Sequence, residues 1–303
     1  MPFANINMTV PGAPTVSTLP VLGADFLNAG SLIYVDPSLV DDVTTVAQDT
    51  VMRNLARGPA SRLTGGAIAD MDAYFDSPDL DGGALRWEYT SGGGFHVFVN
   101  PVVGDARLYL QFLRDDIRDY MIDNPENDFY FDCVIRRTAR GTAPSNGGAK
   151  THALIGIYEA GEFNASAHMA LIQTYDGDDA DADALEMYPR EDDTFLSRSE
   201  DTLVTGAAAF FAASRTNVTA GMQAAADADW RGRVDWHDAL SPGGVVQGGA
   251  SFAVYSILLE DLTVSGVDHD VRLAQRQAQF DAEFGTGGKY DSETWTDVDA
   301  VVW

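Results

Sequence analysis

Cysteine is nearly absent: the 303 residues hold one, Cys133, which excludes an internal disulfide or a cysteine-built zinc cluster. Lysine is almost as scarce. Lys150 and Lys289 stand beside 17 Arg, against 36 Asp and 10 Glu, for a net charge of −27. A surface this negative repels phosphate backbones and anionic headgroups, so neither nucleic acid nor a membrane surface is an expected partner. No apolar run approaches the roughly 20 residues of a spanning helix. The start, Met1-Pro2-Phe3-Ala4-Asn5, lacks the positive charge and apolar stretch of a secretory signal, so none is expected. What is present is 45% hydrophobic and 10% aromatic residues, enough for a packed core and too much for a disordered acidic chain.

The acid excess is Asp rather than Glu. Asp favours turns because its short side chain bonds nearby backbone amides, so the bias points first to a loop-rich architecture and second to salty surroundings.

Residues 1–83 read as an N-terminal arm and a short helical segment: 1–45 are punctuated by Pro and Gly, as in an extended arm or edge segment, with Ser31 to Val35 as an apolar piece. Val46, Val51, Met52 and Leu55 have the spacing of one short helix. From residue 84 the period becomes two. Leu85, Trp87 and Tyr89 alternate with Arg86 and Glu88, and after Gly92-Gly93-Gly94 the run Phe95, Val97, Val99 repeats the pattern, as in a hairpin. Leu108, Leu110 and Phe112 continue it, Asp115 to Tyr120 reads as a helical turn, and Phe129, Phe131, Cys133 and Ile135 share one strand face. Further runs cover 153–158, 168–175, 230–236 and 252–264, while Ala207 to Arg215 fits either helix or strand. The expected fold is mainly β: a two-sheet antiparallel jelly-roll sandwich over 84–266. Residues 267–303 form a C-terminal helix and tail. Asp268 or Asp270 would cap that helix, Val271, Ala274, Ala278 and Phe284 would form its apolar stripe, and Gly285 would end it.

Motifs that carry chemistry are mostly missing or broken. The loop Ser145 to Thr151 has Ala149 and Pro144 where a phosphate-binding loop needs Gly. Asp176, Asp178, Asp179, Asp181 and Asp183 crowd one loop, and the Asp179, Asp181, Asp183 spacing fits the start of a calcium loop. Ala184 stands where the turn needs Gly, and Arg190 where a closing Glu belongs, so an exposed acidic loop is the preferred reading. His96, His152, His168, His237 and His269 are scattered, and Gly-x-Ser-x-Gly does not occur. Glu159 and Glu162 flank a turn and are the acids a glycosidase would use, while Glu260 and Asp261 point to opposite sides of one strand. Trp87, Trp230, Trp236, Tyr130 and Tyr255 could stack on sugar rings, but large strand aromatics are more often core.

The run from Ala253 to Gly266 (AVYSILLEDLTVSG) resembles the closing strand of concanavalin-like, laminin-G-like jelly rolls. Together with the helix, the Phe284 to Tyr290 turn and the segment Thr294-Trp295-Thr296-Asp297, it is similar to virion structural proteins of tailed bacteriophages. The resemblance implies a non-enzymatic particle component on the head exterior or the tail, assembled in the host cytoplasm. Such a component contacts other virion proteins and is commonly a homo-oligomer, often trimeric. It carries over no catalytic residue and no cofactor, because the hydrolases of that fold use an acid triplet this chain lacks. The alternatives on the same sandwich are a carbohydrate-binding module or glycosidase, which would engage a host surface glycan, and a calcium-dependent adhesin using Asp179, Asp181 and Asp183.

Overall fold

A computed structural model describes residues 27–40, 43–76, 85–100, 107–139, 150–159, 169–175, 184–188, 195–198, 206–216, 230–237 and 250–301. Early in the chain come β1 (Ser31–Val35), β2 (Val51–Met52), α1 (Arg57–Thr64) and β3 (Ala73–Asp76). A hairpin, β4 (Leu85–Tyr89) and β5 (Phe95–Val99), precedes β6 (Arg107–Gln111) and α2 (Asp115–Asp123). Then follow β7 (Asp128–Ala139), β8 (Lys150–Glu159), β9 (Met169–Tyr175), β10 (Ala184–Tyr188), β11 (Phe195–Arg198), β12 (Ala208–Thr216), β13 (Trp230–His237) and β14 (Ser251–Asp261). The chain closes with α3 (Leu262–Ser265), α4 (His269–Phe284) and a tail.

These strands form two antiparallel sheets. One runs β11-β12-β7-β14-β5-β4 with β1 also on β14, and the other runs β10-β9-β8-β13-β6-β3-β2. The two-sheet sandwich expected from the alternation is therefore present. Among the described residues, no helix is long and apolar enough to cross a membrane.

Alternation dictates which residues lie between the sheets. On β7, Phe129, Phe131, Cys133 and Ile135 enter the main core, as do Leu85, Phe95, Val97 and Val99 of the hairpin. Leu108, Leu110, Val234 and Trp236 meet them from the other sheet. Each such side chain contributes about 1.5–3 kcal/mol by leaving water. The intervening β7 residues Tyr130 and Val134 are buried too, in a second cluster on the outer face of the first sheet.

β14 lies at the centre of that sheet and changes parity along its length. Phe252 and Val254 face the main core, a register shift falls between Val254 and Ser256, and from there Ile257 and Leu259 face inward. The same irregularity divides its partners. Phe252 to Val254 pair with β5, and Ile257 to Glu260 pair with β1. Residues 31–76 thus supply a strand to one sheet and two to the other.

Two local expectations resolve differently, and one left open is decided. Val51 and Met52 lie in a strand, not a helix: the Asp49 amide donates to the Phe75 carbonyl and the Phe75 amide to Thr50, both at 2.8 Å. Asp49 also has φ +62°, which breaks helical continuation, and the helix begins later, at Arg57. The ambiguous segment after Ala207 is strand β12, paired along β7. The C-terminal helix is present, capped by the Asp268 carboxylate on the Asp270 amide and ended at Gly285, but of its expected apolar stripe only Phe284 packs inward. Val271 is 50% exposed and Ala274 and Ala278 are exposed, while Arg272 and Arg276 are buried. The helix turns its arginines inward.

Candidate functional site

That inversion has a chemical cause. α4 lies over the outer face of the first sheet, where β7 and β14 present buried carboxylates. Arg276 meets Asp132 of β7 as a two-pronged fork, with Nε and Nη2 each donating at 2.8 Å, and Nη2 also reaches Ser256 Oγ at 2.9 Å. One turn earlier, Arg272 Nη2 donates to Glu260 Oε1 at 2.8 Å and its Nε lies 2.6 Å from Oε2. Asn28 donates to the same Glu260 oxygen at 2.8 Å. The four spacing of 272 and 276 puts both guanidinium groups on one helix face. Leu273, Phe280 and Phe284 pack beside them, and Phe280 stacks on Phe210 of β12 at 6.2 Å.

The tail continues the clasp. Tyr290 stacks on Phe284 at 4.5 Å, and the Tyr290 amide donates to the Glu283 carbonyl at 2.8 Å across a turn that needs Gly287 at φ +80°. Glu293, whose side chain has no exposure, accepts from Arg136 Nη1 at 2.7 Å, from the Tyr255 hydroxyl at 2.5 Å and from Thr90 Oγ1. Burial, and then the bond to Glu293, push the Tyr255 phenol far above its ordinary range. The Arg136 guanidinium also lies over the Trp295 ring at 4.8 Å. Fully buried ion pairs add little net stability but are expensive to break, so this layer fixes where the C-terminal segment docks.

At the rim of the same face, His96 of β5 is fully buried, with Nδ1 3.2 Å from Glu88 Oε1 and Nε2 2.7 Å from Thr138 Oγ1. Glu88 also holds the tail, accepting from the Thr296 amide and hydroxyl at 2.7 Å each. Burial alone would raise the Glu88 carboxyl, but the bonds from Thr296 and His96 outweigh it and hold it below its usual range. Burial lowers His96 to about 4 against the pull of Glu88.

The second sheet offers a cleft of about 570 Å³ between its β2–β3 edge and the start of α2. Asp49, Asp70, Asp72, Asp115 and Asp116 line it, with Tyr74, Val51 and Arg114. Asp72 is committed to the fold, accepting from the Asn54 amide at 2.8 Å and pairing with Arg57 at 3.1 Å. Asp115 pairs with Arg118 at 2.8 Å, and the Arg114 guanidinium covers the Tyr74 ring at 4.6 Å. The lining favours a cationic or polyhydroxylic visitor over an anion.

The residues singled out in the sequence fall unevenly on this map. Asp176 to Asp183, with the calcium candidates Asp179, Asp181 and Asp183, lie outside the described residues, as do Glu162, His168 and the 144–149 loop. The side chains of Glu159, His152, His237 and Trp230 are outside them too. Among the described residues, no three metal-capable side chains converge. Trp236, Tyr130 and Tyr255 are buried, so they are core and cannot stack on a sugar, and Trp87 packs half-buried against the core. Cys133 is fully buried and its thiol is pushed up by burial, as suits a small core residue. Glu260 and Asp261 do diverge. Asp261 accepts from Tyr120 at 2.7 Å and Asn127 at 2.6 Å, and caps α3 through the Val264 amide at 2.9 Å. The buried arginines and Glu293 went unnoticed in the sequence, although four-spaced Arg opposite strand acids was the available signal.

No protein-family model matches the chain, and no curated protein does either.

Proposed function

We propose that this protein is a non-enzymatic structural component of a tailed-phage particle, a head-exterior or tail protein that acts through subunit contacts. The reading rests on the resemblance carried by 253–266 and 284–297. The observation that supports it best is how those segments are held: β14 is central in its sheet, and the helix and tail are clasped over it by Asp132, Glu260 and Glu293. A chain whose buried charges fix the position of its own C-terminal segment is suited to presenting a rigid outer surface to neighbours. The acidic exterior keeps that surface from sticking to packaged genome or anionic envelope until a matched contact forms. Light scattering on the purified chain, with negative-stain microscopy of particles incubated with it, tests the reading. A homo-oligomer that decorates particles is expected, and a monomer that never associates contradicts it.

A second reading, glycan binding, is favoured by one feature, the Asp- and Tyr74-lined cleft. A glycan array answers it: binding abolished by Asp70→Ala with Tyr74→Ala would move the assignment to a carbohydrate-binding module.

A further inference from the structure

The corner where His96 sits is built to take a second proton. The Thr138 hydroxyl has one hydrogen and two acceptors within reach, His96 Nε2 at 2.7 Å and the Ser251 carbonyl at 3.0 Å. With a neutral ring protonated on Nδ1, Nδ1–H donates to Glu88 and Thr138 donates to Nε2. With an imidazolium, Nε2–H donates to Thr138, whose hydroxyl turns to Ser251. Both protonation states therefore satisfy every donor by rotation of one hydroxyl.

The charge, however, needs a partner. Among the described residues, the charged groups on the elements around this corner are Glu88 and Arg86 on β4, Arg136 on β7 with Arg137 on the strand's opposite side, and Glu293 and Asp297 in the tail, while β14 contributes uncharged Ser251 and Ala253. Arg136 already neutralises Glu293, and Asp297 is occupied with the Asp299 amide at 3.1 Å. Glu88 is the carboxylate in contact with the ring. A charge-assisted bond shortens to about 2.7–2.9 Å, whereas the present Nδ1 to Oε1 distance is 3.2 Å. Closing that gap moves the same oxygen that accepts the Thr296 amide.

We propose that His96 is an acid-operated latch: its imidazolium form draws the Glu88 carboxylate away from Thr296 and releases the tail from Thr296 onward, while α4 stays docked. Thr294 is held separately, by its amide on Ser91 Oγ at 2.8 Å and its carbonyl on the Ser91 amide at 2.9 Å, so the release stops there. The lowered proton affinity of the buried ring sets the operating range in acid, near pH 4.

Hydrogen exchange of the full chain, read by mass spectrometry and corrected for intrinsic rates, tests this. Peptides from the tail beyond residue 295 are expected to lose at least tenfold protection between pH 6.5 and pH 4, with α4 peptides unchanged. His96→Gln, which cannot take the charge, should lose less than threefold. Parallel loss in wild type and His96→Gln would assign the titration to the tail carboxylates and overturn the proposal, as would a wild-type tail still protected at pH 4. If His96→Gln does not fold, Thr138→Val serves. It removes a partner of Nε2 in both states, but an unpaired donor on the charged ring costs more than an unpaired acceptor on the neutral one, so the transition should move to lower pH, and an unmoved transition overturns the latch.

Discussion

Arg276→Met isolates the charge layer under α4. Methionine keeps the length and apolar stem but strands Asp132, which has no solvent exposure and receives both of its guanidinium bonds from Arg276. Removing one partner of a buried pair costs about 3–5 kcal/mol, because the remaining charge has neither water nor a counter-ion. Replacing both, as in Asp132→Val with Arg276→Met, leaves an apolar contact and should cost no more than about 1 kcal/mol. Urea unfolding of the two singles and the double closes the cycle, with the midpoint shifting and the slope unchanged. The double variant is expected to be more stable than Arg276→Met. A single substitution costing under about 1 kcal/mol, or a double that merely sums the singles, would refute the clasp as described.

Other outcomes follow from the same geometry. Glu293→Gln leaves the buried Arg136 without its counter-charge and should cost about 2–4 kcal/mol in urea unfolding. On α4, Val271→Asp at an exposed site should stay within about 0.5 kcal/mol, whereas Phe280→Asp, facing Phe210, should cost several times that. Phe131→Ala, in the core and stacked on Phe112 at 6.0 Å, should cost about 3–5 kcal/mol. The folded His96 titrates near 4 and the unfolded near 6.5, so the unfolded chain binds the extra proton between those values. Stability is therefore full above pH 6.5 and falls towards pH 4 by about 3 kcal/mol from this residue, and the urea midpoint of His96→Gln should lack that share of the decline.

Period-two alternation made much of the sandwich legible, because Phe129 to Ile135, Leu85 to Tyr89 and Phe95 to Val99 each place one face in the core. It failed where both faces are covered. Val271, Ala274 and Ala278 look like an inward stripe by hydropathy, yet α4 docks on a face holding Asp132 and Glu260, and arginine complements those acids as alanine cannot. The sign of this was already in β7, where Tyr130, Asp132 and Val134 offer no plainly polar side for water. The register shift near Tyr255 leaves no mark on composition. The strand at Val51 was hidden because two residues set no period, and its partners, Ala73 and Tyr74, lie more than twenty positions away. The cleft joins Asp49 to Tyr74 with Leu113 to Asp116, and only the fold brings those stretches together.

Quantitative mass spectrometry of gradient-purified tailed-phage particles whose genome encodes this chain tests the functional claim most directly. The chain should be present at a fixed copy number per particle, resistant to washing in high salt. Its absence from purified particles, with the protein recovered only free in the lysate, would contradict the account.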